Sequence, residues 1–162
     1  MSSFMRVIHL AQALLSGYGA FHSYKAIVNL QTYEATTKKL AKWSDEVGKQ
    51  LHKTRTTQAT AALTILFSTL TSLTLGIKPE VFPSSVLYAA PPCLVIVVLL
   101  ARSHVSNYWA PSDGKTVGVK VPLPNLDEYN KAQRATEEVL KVLQWVEWSW
   151  VGASLGAGMV GY

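Results

Sequence analysis

The sequence predicts an all-α integral membrane protein: a bundle of four transmembrane helices with amphipathic helical extensions on the cytosolic side. Two observations carry that expectation. Charged residues are only 15% of the 162-residue chain and apolar residues 49%, against roughly 25% charged in a soluble domain, so too few charges remain to cover a water-facing surface. The charges are also clustered, because Thr56 to Ile77 is 22 residues without one and Val81 to Ala101 is another 21. At 1.5 Å per residue either run crosses a hydrocarbon core of about 30 Å. The mean hydropathy of +0.17 excludes a chain made only of lipid-buried helix. A single membrane domain over 1–162 follows, with spans at about 7–27, 56–77, 81–102 and 140–161 and cytosolic segments at 28–55 and 103–139.

The first span is the most polar. Val7 to Tyr24 is uncharged but contains His9, Gln12, Ser16, His22 and Ser23. Arg6 ahead of it, with Gly17 and Gly19 as small residues, also has the composition of a cleaved signal, and the lack of acidic residues before Glu34 that of a mitochondrial presequence. Either would leave three spans. From Gln31 to His52 the pattern turns helical, with Tyr33, Leu40, Val47 and Leu51 on one face and Trp43 on its flank. The first span runs on into this stretch as one long helix, or bends to lie on the headgroups with Trp43 as an interfacial anchor. Packing on the protein's other loop is the competing expectation.

The second span is rich in hydroxyls, from Thr56 and Thr57 to Ser72 and Thr74. These bond to the carbonyl four residues back or to a neighbouring helix, or they line a polar cavity. Gly76 and Lys78-Pro79-Glu80 then form a tight turn, and the third span returns antiparallel. Pro91 and Pro92 lie near its middle and remove two helix hydrogen bonds, so this span is expected to kink, or to break around Ala90. Ser103 to Pro124 has no helical period and reads as an irregular interfacial loop anchored by Tyr108 and Trp109, with a short strand over Thr116 to Val121. Asn125 and Glu128 have the spacing of a helix start, and the last helix runs on from there, entering the bilayer near Val142.

Basic residues set the orientation. Counting the adjoining span ends, seven lie between spans one and two and six between spans three and four, while the opposite side holds only Arg6 and Lys78. The positive-inside rule puts the basic side in the cytosol, facing anionic lipid, and both termini outside. An endomembrane such as the endoplasmic reticulum fits best, with a mitochondrial membrane as the other candidate. Basic residues are not interleaved with aromatics, which excludes a nucleic-acid groove.

Candidates for chemistry are few. Glu147 is the one charge between Val142 and Tyr162. A carboxylate at that depth must face the bundle interior, take a proton or find a partner. Trp145, Trp148 and Trp150 around it give a second reading, in which the cluster marks the headgroup level. His9 and His22 are possible proton carriers on different faces of one helix. Gly152 and Gly156 form a small-xxx-small pair suited to close helix packing or self-association. The one cysteine, Cys93, cannot form an internal disulfide, and no zinc, phosphate-loop or nucleophile-elbow motif occurs. No cofactor is implied. The sequence therefore points to a non-catalytic subunit, scaffold or assembly factor that binds other membrane proteins or itself. An enzyme using Glu147 with His9 or His22 on a lipophilic substrate is the alternative, and a small transporter or channel the third reading.

Overall fold

A computed structural model describes residues 2–41, 45–110 and 126–160. They form α1 (Ser3–Ala41), α2 (Asp45–Ile77), a 3-10 turn (Pro79–Val81), α3 (Ser84–Trp109) and α4 (Leu126–Val160), with no strand among the described residues. Trp43, the expected strand at Thr116 to Val121 and the expected cap Asn125 lie outside the described residues.

The helices alternate in direction around a ring. α1 packs along both α2 and α4, and α4 packs along α3. α2 meets α3 more sparsely and barely touches α4. Contacts at both ends fix the antiparallel sense. Arg6 of α1 reaches Glu80 in the turn at 3.3 Å, and at the other end Arg55 of α2 reaches Glu34 of α1 at 2.6 Å.

What each helix buries follows one rule. α1 turns Met5, His9, Gln12, Ser16, Gly19, Ser23, Ala26, Leu30 and Tyr33 inward, in alternating steps of four and three. α4 does the same with Tyr129, Ala132, Thr136, Val139, Leu143, Val146, Trp150, Ala153 and Ala157, and α2 with Leu51, Thr54, Gln58, Ala61, Ile65, Ser68, Ser72 and Leu75. A strict 3.5-residue repeat keeps one seam facing its neighbours and belongs to left-handed supercoiled packing. The seam is unusual in content, because small and polar residues take about half its positions. Large apolar side chains point outward instead: Leu14, Phe67, Leu100 and Met159 are all more than half exposed.

Several expectations change here. The helical pattern from Gln31 to His52 is not one helix. α1 ends at Ala41 and α2 starts at Asp45, and Tyr33 and Leu51 share a period because each faces the common core from its own helix. The tight turn after Gly76 is present, with the Val81 amide donating to the Lys78 carbonyl and the Phe82 amide to that of Pro79. α3 starts three residues later than the uncharged run, since Val81 closes the turn and Pro83 caps the helix. It then passes through Pro91 and Pro92 without interruption, so no break occurs at Ala90. Pro91 is buried, and the α-helix continues beyond Pro92 to Trp109. The irregular loop also begins later than expected, because Ser103 to Trp109 continues α3.

Glycine placement decides how closely α1 approaches its neighbours. A Cβ on Gly19 would sit 2.7 Å from Val142 Cγ1 and 3.2 Å from Ile65 Cδ1, so this residue lets α1, α2 and α4 meet. A Cβ on Gly156 would sit 3.1 Å from Met5 Sδ, whereas one on Gly152 would meet nothing within 4 Å. Of the expected packing pair, only Gly156 packs within the bundle; the close contacts on this turn come from buried Ala153 and Ala157. Gly19→Leu should therefore lower stability by about 1–3 kcal/mol through overpacking, whereas Gly152→Ala should be neutral or stabilising through better helix propensity. Thermal unfolding in mild detergent checks both; equal destabilisation by the two changes contradicts this packing.

Candidate functional site

The buried polar residues form a ladder of contacts between helices. At the end of the bundle near the turn, His9 Nδ1 lies 2.7 Å from Gln12 Oε1, and Gln12 Nε2 donates to Ser149 Oγ at 3.2 Å. Ser149 spends its own hydrogen on the Val146 carbonyl. Gln12 must therefore present its amide nitrogen to Ser149 and its oxygen to His9, which assigns the Nδ1 proton to His9. One turn along, Ser16 Oγ meets Ser68 Oγ at 3.2 Å, and the Trp150 indole donates to Ser68 at 2.9 Å. Further on, Gln58 Nε2 donates to Thr136 Oγ1 at 2.5 Å and the Trp109 indole to Thr57 Oγ1 at 2.9 Å. The ladder ends in an aromatic cluster, where Trp109 stacks on Tyr129 at 5.5 Å and Tyr129 packs on Tyr33 at 5.4 Å. Burial, with Tyr33 close by, raises the Tyr129 hydroxyl above the usual phenol range and keeps it neutral.

Glu147 belongs to a separate contact. It is buried on the α3–α4 side, and Arg102 reaches it with Nε at 2.7 Å and Nη2 at 3.5 Å. The Glu147 side chain is 12% exposed and that of Arg102 is 36% exposed. Of the ways to accommodate a carboxylate at this position, the structure uses pairing. Arg102 is the last residue of the third expected span and Glu147 lies inside the fourth. One basic residue at a span edge and one acidic residue inside a neighbouring span was the sequence signal for this pair.

The residues of the expected acid–base set have separate surroundings. His9 is tied to Gln12 and lies against Trp150 at 5.7 Å, on the α1–α4 seam. His22 is partly exposed and packs on Tyr18 at 4.5 Å and Phe21 at 5.6 Å. Glu147 faces α3, where Arg102 holds it. The three residues thus have different neighbours: Gln12 and Trp150 for His9, Tyr18 and Phe21 for His22, and Arg102 for Glu147. Among the described residues no group of His, Cys, Asp and Glu has the geometry to hold a metal ion.

The aromatic anchors divide. Trp145 and Trp148 are exposed, as an interfacial role requires. Trp109 and Trp150 are not: each is buried to within 2% and spends its indole N–H on a hydroxyl of α2. The sequence suggests a headgroup belt at these positions because buried and exposed indoles look alike in a Trp-x-x-Trp-x-Trp run. Their helical phase separates them, since Trp150 falls on the α4 heptad seam and Trp145 and Trp148 fall off it.

The second-span hydroxyls mostly serve their own helix. Thr60, Thr69, Ser72 and Thr74 each donate to the carbonyl four residues back at 2.8–2.9 Å. Thr57 and Ser68 differ, since each also accepts a bond from an indole on a neighbouring helix. Comparison of the chain with protein-family models, with curated proteins and with solved structures gives no match.

The Arg102–Glu147 pair makes an asymmetric prediction. Removing the cation strands a buried carboxylate, so Arg102→Met should cost roughly 2 kcal/mol or more. Glu147→Gln leaves Arg102 partly solvated and should cost less. Combining Arg102→Met with Glu147→Leu replaces the whole pair by apolar side chains and should recover most of the loss. A thermal-unfolding cycle in detergent reads this; a Glu147 change more harmful than the Arg102 change contradicts it.

Proposed function

We propose that this chain is a membrane-embedded four-helix protein that acts without chemistry of its own, as a subunit, scaffold or assembly factor for other membrane proteins. The observation that carries this reading is a largely apolar outer surface around a core that includes many polar side chains. His9, Gln12, Ser16, Ser68, Ser72 and Thr136 are buried, while Phe4, Leu14, Phe67, Leu100 and Met159 face out. Water rewards the opposite arrangement, and lipid tails reward this one.

Two helices, Gly48–Ile77 and Ser84–Trp109, are long and apolar enough to cross a membrane. Only 39% and 22% of their most apolar windows are buried. A core helix of a water-soluble protein would be mostly buried, so these values support lipid contact. α1 and α4 are 39 and 35 residues long, which suffices to span, but they carry the polar half of the ladder and fall short on hydropathy alone. A four-span topology hides those polar groups inside the bundle. Thirteen basic residues in the two long segments and the span ends that adjoin them, against two on the other side, support a cytosolic location for those segments and contact with anionic lipid.

The non-catalytic reading is supported by what the titratable side chains do. Glu147 is consumed by Arg102 and His9 by Gln12. An interaction role is supported by a groove of about 600 Å³ between α1 and α4, where Ala11, Gly152 and Gly156 leave room between Phe4, Leu155 and Met159. A partner's transmembrane helix fits such a small-residue floor.

The membrane assignment predicts that the protein floats with phosphatidylcholine vesicles in a density gradient and resists extraction by alkaline carbonate; recovery in the carbonate supernatant overturns it. The partner assignment predicts that Gly152→Leu leaves thermal unfolding unchanged but removes a stoichiometric partner seen by native mass spectrometry from mild detergent. Retention of the same partner by the variant removes this groove from the interface.

A further inference from the structure

Of the four seams around the ring, α2–α3 is the sparsest. Two apolar cavities lie along it, of about 420 and 340 Å³. They share Phe67, Leu70 and Val97, so they form one groove that runs from Thr74 and Phe82, near the turn, to Leu63. Leu63 and Val97 are exposed, so the groove opens on the outer surface of the bundle. Thr74 puts no polar demand on an occupant, because its hydroxyl donates to the Leu70 carbonyl at 2.9 Å. From Thr74 to Leu63 the helix advances about 16 Å, close to half of a hydrocarbon core of about 30 Å. The groove is therefore as long as one leaflet is deep.

A cation stands at its mouth. The Lys78 amide donates to the Thr74 carbonyl at 2.9 Å, and the Lys78 carbonyl accepts from the amide of Val81, the residue before Phe82. Thr74 and Phe82 both line the groove, so Lys78 lies within one turn of its open end. Lys78 is exposed, and the acid beside it in the turn, Glu80, is engaged by Arg6 at 3.3 Å. One positive charge is left over at this end. An ammonium on a flexible stem suits a phosphate as a point charge.

An open apolar groove leaves both walls short of dispersion contacts. A partner's transmembrane helix is about 10 Å across with its side chains and approaches closely over small residues, as on the α1–α4 side. Phe67, Leu70 and Phe82 wall this groove instead. A single hydrocarbon chain enters between such side chains, and a phosphate above it answers Lys78. We propose that the α2–α3 groove is a binding site for one phospholipid of the leaflet at the turn end, with an acyl chain along Phe67, Leu70 and Val97 and its phosphate on Lys78. This inference rests on the membrane reading above.

The test reconstitutes the full chain in dioleoylphosphatidylcholine vesicles with a minor fraction of dioleoylglycerol, which has the same chains and no phosphate. Flotation is scored first. Lipid retained after extraction in mild detergent is then read by native mass spectrometry, relative to the amount of each lipid supplied. The expected result is one dominant species with a single phosphatidylcholine per chain. Lys78→Gln should lower its retention about threefold, the scale of an exposed ion pair, and remove the preference over dioleoylglycerol. Cys93→Trp fills the groove from an exposed position and should abolish retention, and Val97→Phe should do the same. Added phosphatidylcholine should raise the unfolding temperature of the wild type in detergent and leave that of the two filled variants unchanged. A broad spread of bound lipids that the filled variants share, equal retention of the two lipids, retention insensitive to Lys78→Gln, or a second protein chain in place of lipid overturns the site while leaving the membrane reading intact. Failure to float overturns the membrane reading and this site with it.

Discussion

Most polar side chains buried between these helices are met by a group on another helix or on their own backbone, and the register of the bundle depends on those contacts. Gln12 with Ser149, Ser68 with Trp150, Gln58 with Thr136 and Thr57 with Trp109 are separated by 52 to 137 residues in sequence. Each is worth only about 1 kcal/mol. Their collective effect is on register. Sliding α4 along α1 or α2 by one turn would break several contacts together and leave the freed groups buried. Apolar seams tolerate such a slip far better, since one aliphatic contact resembles the next. The 3.5-residue repeat brings the rungs into line, and Gly19, Ala153 and Ala157 bring the backbones near enough for short side chains to meet.

α3 is held differently. It lies against α4 more than α2, and an ion pair links it to α4 through Arg102 and Glu147. The sparse α2–α3 seam leaves an apolar groove of about 420 Å³ that includes Phe67, Leu70, Phe82 and Leu94, with Cys93 exposed at its edge. The bundle thus has a tight half, α1 with α2 and α4, and a looser fourth helix clipped on by that ion pair and by the Trp109 indole. Pro91 and Pro92 belong to this looser helix. Their missing hydrogen bonds weaken the helix that, among the described residues, buries the fewest side chains.

The all-helical class, the turn at Lys78-Pro79-Glu80 and the long run of the first helix were legible in the sequence. Charge-free runs, Pro and Gly report directly on local backbone. The core was much less legible, for a physical reason. Sequence reading searches for an apolar period, and here the conspicuous apolar residues face out. About half of the inward heptad positions are Ser, Thr, Gln, Ala or Gly, whose small contrast with their neighbours interrupts the apolar repeat. Gln12, Ser16 and Ser23 are visible in α1 as polar residues, yet their steps of four and three with His9 and Gly19 gain meaning only with the facing helices in place. The same blindness explains Trp109 and Trp150, which composition places at an interface and helical phase places in the core. Glu147 was legible as a carboxylate needing accommodation. Its partner was signalled only by Arg102 standing at the edge of a neighbouring expected span, which fixes no contact until the helices are placed side by side.

The unbroken heptad of α1 also makes the chain sensitive to length as distinct from composition. Loss of one residue at Gly17 would rotate all that follows by about 100°. Tyr24 would then enter the place of Ser23, and Gln31 that of Leu30, so that bulky side chains crowd the seam and rungs lose their partners. Loss of seven residues would restore the phase while shortening the helix by about 10 Å. Substitutions on the outer face can vary widely among apolar residues under this architecture, whereas insertions and deletions within α1, α2 or α4 are tolerated only in whole heptads. The gene for such a protein drifts freely in letters and hardly at all in count.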